Sequence, residues 1–262
     1  MSTPLINYTP EGRIVWIEIN RPDKRNAVSR AVTAALTDAF ARFDEDDTAD
    51  VAILCGAGAA FSSGADVGES QMASRADMEK SRDPLGLAHP FAELLHRCRN
   101  WKPVIAAVHG YALGMSLGLM LDCDLSVCED DARLQVTETP RGLGGYRHWA
   151  LMKARGAGMF ADEVCLTGRP FSGAEAHAAG LVTTLAAKGK ARETALALAQ
   201  GIAINPPLSV RETVRVRRWH MHKTTREIAF QTENTRLHLT EDFEEAVRAF
   251  AEKRAPGPFK AR

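Results

Sequence analysis

Short apolar runs separated by small and polar residues dominate the first three quarters of the chain. Runs at 14–19, 51–55 and 103–108 have the length and composition of strands that are buried on both faces. Between the first two runs, Ser29 precedes apolar residues that recur at helical spacing. This pattern predicts a helix with Ser29 as its N-cap.

The last quarter of the chain has helical spacing instead. From Ala191 onward the apolar positions follow one helical face after another, with a break at the Asn-Pro-Pro of 205–207. We therefore predict an α/β core over residues 1–195 and a helical region over 196–262. The other predicted elements are a mobile segment at 75–83, a helix at 90–99, a strand at 134–137, an irregular glycine-rich loop after 142, helices at about 156–166 and from Ser172, and a strand at 181–182.

The stretch 102–128 combines a buried strand, a turn and an apolar helix. Gly114 stands where the helix begins, and a helix start leaves backbone N–H groups unpaired, with partial positive charge. A glycine there allows a ligand oxygen to approach the backbone closely. Taken alone, the stretch predicts either a site for a developing oxyanion or a tightly packed turn without a ligand.

Composition narrows the possible classes of protein. The 262 residues are 45% hydrophobic, which is enough for one large core. A formal net charge of zero argues against a general nucleic-acid or membrane-surface binder. None of the five cysteines shows C-x-x-C spacing, so neither a zinc site nor a disulfide framework is indicated. No apolar run approaches the 18 residues of a membrane span. We therefore expect a soluble cytoplasmic protein that has no membrane partner. From the cysteine spacing and the net charge we expect neither a metal ion nor a nucleic-acid partner.

Seven pieces of sequence share their order and spacing with one known family. They are RPDKRNAVS (21–29), GAGAAFSSGADV (56–67), KPVIAAVHGYALG (102–114), CDLSVCEDDARL (123–134), LTGRPFSGAEAHAAGLV (166–182), NPPLSVRET (205–213) and EDFEEAVRAFAEKR (241–254). Together they resemble the crotonase family, the enoyl-CoA hydratase/isomerase superfamily of fatty acid metabolism.

The resemblance implies a spiral of ββα turns over 1–195 that carries the acyl-CoA site. It also implies a helical trimerisation region over 196–262, and an assembly that is a homotrimer or a hexamer built from two trimers. The expected partner is an acyl-CoA thioester. Coenzyme A would enter as part of this substrate, and no separate cofactor is expected.

The resemblance further implies a backbone oxyanion hole, in which two N–H groups hold the thioester carbonyl while an enolate forms. Its donors fall at Ala65 and Met115. Met115 departs from the family's usual glycine, so its side chain would reshape the pocket. The residues implied in substrate and coenzyme A binding are Lys24, Arg25, Ala27, Ser63, Ala65, Asp66, Val67, Gly68, Gly114 and Met115.

Only one of the family's two acid/base glutamates has a counterpart in this chain. Family hydratases use both; the first position is Gly118 here, whereas the second is Glu138. A single carboxylate can remove a proton from one carbon and return it to another. We therefore predict that Glu138 catalyses double-bond isomerisation or a non-standard hydration of an enoyl-CoA. Tyr146, His148 and Asp83 are candidates for a second acid/base group.

The sequence is compatible with two alternatives. An acyl-CoA-binding protein that has lost catalysis is compatible with Gly118 and Met115, although the retention of Glu138 argues against it. RNA binding through the basic residues of 211–226 is disfavoured by the neutral overall charge, and a solvated or intersubunit helix face is the preferred interpretation.

Overall fold

Two β-sheets form the framework on which the helices pack. The computed structural model describes residues 3–70, 99–232 and 236–262. The strands are β1 Ile6–Glu11, β2 Ile14–Ile19, β3 Val51–Gly56, β4 Val104–Val108, β5 Tyr111–Leu113, β6 Leu125–Glu129, β7 Arg133–Gln135, β8 Phe171–Ser172 and β9 Thr184–Ala186. The first sheet has the order β1-β2-β3-β4-β6-β9 and is parallel apart from the β1–β2 pair, and the second has the order β5-β7-β8.

Helices cover both faces of the first sheet. They are α1 Arg30–Glu45, α2 Val67–Ser70, α3 Met115–Asp122, α4 Tyr146–Ala154, α5 Gly158–Thr167, α6 Gly173–Ala178, α7 Ala191–Ala203, α8 Pro207–Thr232 and α9 Glu241–Ala251, with short 3₁₀ helices at Pro22–Lys24, Thr139–Arg141 and Leu237–Leu239. None of the helices in the described part of the chain combines the length and the hydropathy of a membrane span.

Alternate side chains of β2 enter two separate cores. Val15 and Ile17 join the large core under α1, whereas Ile14 and Trp16 face the opposite side, where Ala195 of α7 packs. Because both faces are covered, the strands consist of continuous apolar runs rather than alternating ones. The predicted α/β class is confirmed.

Two successive segments of the chain follow the same path. β4 in the first sheet continues into β5 in the second sheet and then α3; β6, β7 and α4 repeat this order. The parallel pairing of β5 with β7 sets Leu113 opposite Gln135, and the Gly114 N–H donates to the Gln135 carbonyl at 2.9 Å. The start of α3 therefore lies beside the residues that follow β7.

Several predicted boundaries differ from the observed ones. The predicted strand at 181–182 is wrong: the Leu181 N–H donates to the Ala176 carbonyl and closes α6, and sheet pairing begins only afterwards, with β9. The glycine-rich stretch predicted as a loop contains α4. The strand predicted at 134–137 is β7, which begins one residue earlier and ends two residues earlier. The segment predicted as mobile, Asp83, Cys98 and nearly all of the helix predicted at 90–99 lie outside the described residues.

The helical region is joined to the core by a buried ion pair. Asp124 accepts hydrogen bonds from Arg217 and from Arg218 on α8, and from the Val104 N–H at the start of β4. The predicted division at residue 195 falls inside α7, which packs on the first sheet. The oligomerisation role of 196–262 stays a prediction.

Candidate active site

Two loops of small residues converge at the start of α3. The Ser62 N–H donates to the Tyr111 carbonyl at 2.9 Å, and Ser62 pairs with Ala112 in a short parallel bridge. The buried Ser116 hydroxyl oxygen accepts from the Leu113 N–H at 2.7 Å and lies 2.8 Å from the Ser62 carbonyl, to which it can donate. These contacts fix the two loops against each other.

The two predicted oxyanion donors lie in these loops. Val28 pairs with the residues on either side of Ala65: its N–H donates to the Gly64 carbonyl, and its carbonyl accepts from the Asp66 N–H. The N–H of Ala65 itself is not used in this pairing. Met115 is the first residue of α3, and its nitrogen lies 3.7 Å from the Cβ position of the adjoining Gly64. Within the described ranges, neither N–H has an acceptor. The structure thus brings both donors to one place, and their catalytic role stays a prediction.

Gly114 occupies a position that only glycine fits. Its φ of 51° and ψ of −119° are unfavourable for a residue with a side chain. A Cβ there would lie 2.3 Å from Thr137 Oγ1 and 3.1 Å from Glu138 Oε1. The missing side chain therefore allows the carboxylate of Glu138 to lie against the start of α3.

Glu138 is held firmly by its backbone but not by its side chain. It caps the 3₁₀ helix Thr139–Arg141, and its carbonyl accepts from the N–H groups of Arg141 and Leu143. Its side chain is 14% exposed, and Oε2 is buried without a hydrogen-bond partner among the described residues. Leaving such an oxygen unpaired is costly, which makes it a candidate for a functional group.

His148 is the predicted candidate that the structure places beside Glu138. Its ring is buried on α4, with Nε2 2.9 Å from the Gly114 carbonyl and Nδ1 3.8 Å from Glu138 Oε2. Of the other two candidates, Tyr146 packs on Gly144, and Asp83 lies outside the described residues.

The space next to Gly118 is already filled. A Cβ on Gly118 would lie 3.4 Å from His148 Nε2 and 3.1 Å from Arg147 Nη1. Arg147 is fixed there, because its Nη2 donates to both oxygens of Asp122 at 2.8 and 2.7 Å. Burial raises the pKa of Asp122, and the Arg147 charge offsets only part of this effect. A side chain at 118 would have to displace His148 or this ion pair.

The family model for enoyl-CoA hydratase/isomerase matches residues 9–262. The chain belongs to this family. The resemblance to crotonases and the crotonase-like fold are thereby confirmed.

Known members of the family include both hydratases and isomerases. The mevalonyl-coenzyme A hydratase sidH of Aspergillus fumigatus is 32% identical to this chain, over 94% of the chain and 92% of that protein. The mitochondrial Δ(3,5)-Δ(2,4)-dienoyl-CoA isomerase of Mus musculus is 28% identical, over 92% and 77%. The crystal structure of an enoyl-CoA hydratase/isomerase from Pseudoalteromonas atlantica T6c has a TM-score of 0.83 at 26% identity, covering 98% of this chain and 100% of that one.

In this hydratase/isomerase family member, the residues predicted to bind coenzyme A come from two adjoining loops. Lys24 and Arg25 are exposed, at the end of the first 3₁₀ helix and just after it, and Ser63 lies next to them because its N–H donates to the Arg25 carbonyl at 2.9 Å. Ala27 is half-buried between these loops and Ala65 to Gly68 follow Ser63, with Val67 starting α2.

Asn26 and Arg21 hold the two loops together. The fully buried Asn26 amide accepts from the Arg21 N–H and donates to the carbonyls of Ala57 and Ala60, at 2.8–2.9 Å. Arg21 in turn donates to the Ala27 carbonyl and to Asp66. Nothing in the sequence pattern distinguishes Asn26 from an ordinary turn asparagine. Its φ of 56°, which asparagine tolerates better than most residues, becomes apparent only in the structure.

Proposed function

We propose that this protein acts on an enoyl-CoA thioester and uses Glu138 as its proton-transfer group. The observation that supports this most is the placement of Glu138. Its carboxylate lies against Gly114, one residue from the Met115 N–H, and one of its oxygens is buried and unpaired. A carboxylate next to a cluster of free N–H groups suits a reaction in which a proton leaves carbon while negative charge grows on a neighbouring oxygen.

The chemistry follows from these positions. The thioester oxygen accepts hydrogen bonds from the N–H groups of Ala65 and Met115. Glu138 takes a proton from carbon, and the electrons of the broken C–H bond pass into the enolate, whose charge rests on that oxygen. Return of the proton to a different carbon moves the double bond. Loss of one such N–H donor typically lowers the rate about a hundred- to a thousandfold.

Gly118 favours this single-carboxylate route over hydration by two glutamates. With no side chain at 118, and with His148 and Arg147 next to it, no second glutamate is available in the described part of the site. We propose isomerisation, or a hydration in which a group other than a glutamate completes the proton transfers. The rival possibility, acyl-CoA binding without catalysis, requires that the unpaired oxygen of Glu138 has no chemical role.

For the assembly, we propose that 196–262 contributes to a trimer or a hexamer in the cytoplasm. The support is a set of large apolar side chains that α8 leaves exposed, namely Leu208, Val216, Trp219 and Phe230. Apolar surface of this kind typically marks an interface with another chain.

The test is turnover of a 3-enoyl-CoA and of crotonyl-CoA by the wild type and by Glu138→Gln. We expect the wild type to isomerise the 3-enoyl thioester and the variant to lose about a hundred- to ten-thousandfold in kcat. Glu163→Gln, on the exposed surface of α5, is the matched control and should keep full activity. Undiminished turnover by Glu138→Gln would refute the proposal. No turnover by the wild type, with acyl-CoA binding retained, would favour the binding-only alternative.

A further inference from the structure

We propose that His148 and Glu138 share one proton, and that His148 thereby positions Glu138 for catalysis. The inference rests on the proposed function of Glu138. His148 would not touch the reacting carbon atoms; it would act through the carboxylate.

The hydrogen bond of His148 to Gly114 determines the tautomer of the ring. Its Nε2 lies 2.9 Å from the Gly114 carbonyl oxygen, and a carbonyl can only accept. Nε2 therefore carries a hydrogen in every protonation state that keeps this contact. The neutral ring must then have its lone pair on Nδ1, which is the nitrogen that faces Glu138.

Nδ1 of the neutral ring and Oε2 of ionised Glu138 are both acceptors. They lie 3.8 Å apart, and Oε2 has no hydrogen-bond partner among the described residues. Two buried lone pairs facing each other are unfavourable, and one proton between them removes the conflict whether it resides on nitrogen or on oxygen. The separation exceeds a hydrogen bond by roughly 0.6–1 Å, and catalytic hydrogen bonds often tighten only once substrate is bound.

The shared proton leaves one carboxylate oxygen for chemistry. When Nδ1–H donates to Oε2, Glu138 is oriented and ionised, and Oε1, on the Gly114 side, is free to take the substrate proton. That proton is later returned from Oε1 to another carbon, so the proton between His148 and Glu138 is not consumed. Removing the Nδ1 donor should therefore leave Glu138 without this orientation and lower kcat.

Other charged groups surround the pair and stay constant in the test. Arg147 and Asp122 lie near His148, while Arg141 and Cys165 interact electrostatically with Glu138. Arg155, at the end of α4, and Arg217, on α8, add positive charge around Asp122 and Cys123. All of these charged groups are present in both the wild type and Glu138→Gln.

The first measurement is NMR of the histidine side-chain nitrogens in the free protein, which needs no substrate. We expect the Nδ1 signal of His148 to differ between the wild type and Glu138→Gln, because the carboxylate oxygen that faces Nδ1 has been replaced by part of an amide. The exposed His177 serves as the internal control and should not shift. An identical Nδ1 signal in both proteins, or a neutral ring protonated on Nδ1, would overturn the proposal.

The second measurement compares His148→Asn with His148→Leu. Both variants lose the contact with Gly114 and have side chains of the same length and branching, but the asparagine amide can place a non-titrating donor near the position of Nδ1. We expect His148→Asn to retain kcat within about tenfold, while His148→Leu falls about a hundredfold. Equal loss in the two variants would mean that His148 has only a packing role.

The two proposals fail in different ways. If Glu138→Gln retains full turnover, the proposed function is wrong whatever the NMR spectra show. If Glu138→Gln is inactive but the Nδ1 signal of His148 does not depend on residue 138, only the shared proton is refuted.

Discussion

Replacing Gly114 with alanine tests how closely the site is built around the start of α3. The new methyl group would lie 2.3 Å from Thr137 Oγ1 and 3.1 and 3.6 Å from the two carboxylate oxygens of Glu138. Thr137 must move, and the nearer oxygen of Glu138 must shift by a few tenths of an ångström. We therefore expect Gly114→Ala to lose both stability and activity.

The size of the stability loss can be worked out from two contributions. Backbone angles reserved for glycine cost a residue with a Cβ about 1–3 kcal/mol. Overpacking against Thr137 adds about 1–3 kcal/mol. The sum, about 2–6 kcal/mol, is a large part of the 5–15 kcal/mol or so that stabilises a typical domain.

Urea unfolding, followed by circular dichroism, measures these contributions separately. Gly180→Ala is the matched control, because Gly180 has a φ of 78° and its Cβ would meet nothing within 4 Å. It should cost only the backbone contribution, about 1–2 kcal/mol. The double variant Gly114→Ala/Thr137→Ala removes the closest overlap and should be less destabilised than the sum of the single changes.

The decisive comparison is between stability and turnover. Gly114→Ala should lose more kcat than Gly180→Ala even under conditions where both proteins are fully folded. A Gly114→Ala protein that is no less stable than Gly180→Ala and fully active would refute the geometry that we describe for Glu138 and α3.

Two further predictions concern buried groups away from the reaction. Asp124→Asn leaves Arg218 without its carboxylate and should destabilise the protein by about 3–5 kcal/mol in urea unfolding, whereas Asp131→Asn, in an exposed pair with Lys188, should have little effect. Burial opposes the ionisation of Asp124, but Arg218 and Arg217 prevail and lower its pKa, so the contribution of Asp124 is present above about pH 4 and is lost at lower pH. An Asp124→Asn deficit that stays constant below pH 4 would contradict this assignment. Burial raises the pKa of the thiols of Cys55, Cys123, Cys128 and Cys165 to about 12, so at pH 8 only about one in ten thousand is ionised. Mass spectrometry should find these four cysteines unmodified by a thiol reagent in the folded protein and modified in urea; rapid native labelling of any of them would be the contrary result.

The sequence predicts the framework well because local signals agree with burial. The runs that form β3 and β4 lack polar side chains, and β2 has only Glu18, which matches a sheet covered on both faces. Ser29 and Ser172 cap α1 and α6 as predicted, since each hydroxyl accepts a hydrogen bond from a backbone N–H three residues later. Such patterns are complete within a few residues and need no knowledge of the fold.

Features that depend on distant residues could not be predicted in the same way. Helix α4 follows a cluster of glycines that favours a loop, and its weak helical pattern is stabilised by packing against α3, α5 and α8. Asp124 and Arg218 are 94 positions apart, so their pairing appears only when α8 packs on the core. The two loops joined by Asn26 are likewise about 30 residues apart.

The absence of a side chain at Gly118 and the presence of His148 are best understood as a single feature. Taken separately, Gly118 indicates a lost glutamate, and His148 is one of three candidates for a second acid/base group. In the structure, a Cβ at 118 would lie 3.4 Å from His148 Nε2, so a long side chain there would compete with the ring for the space beside Gly114. The same ring then presents Nδ1 to the unpaired oxygen of Glu138. A position that suggests lost catalysis from the sequence thus makes room for a second titratable group, which is why we favour an enzyme over a binding protein.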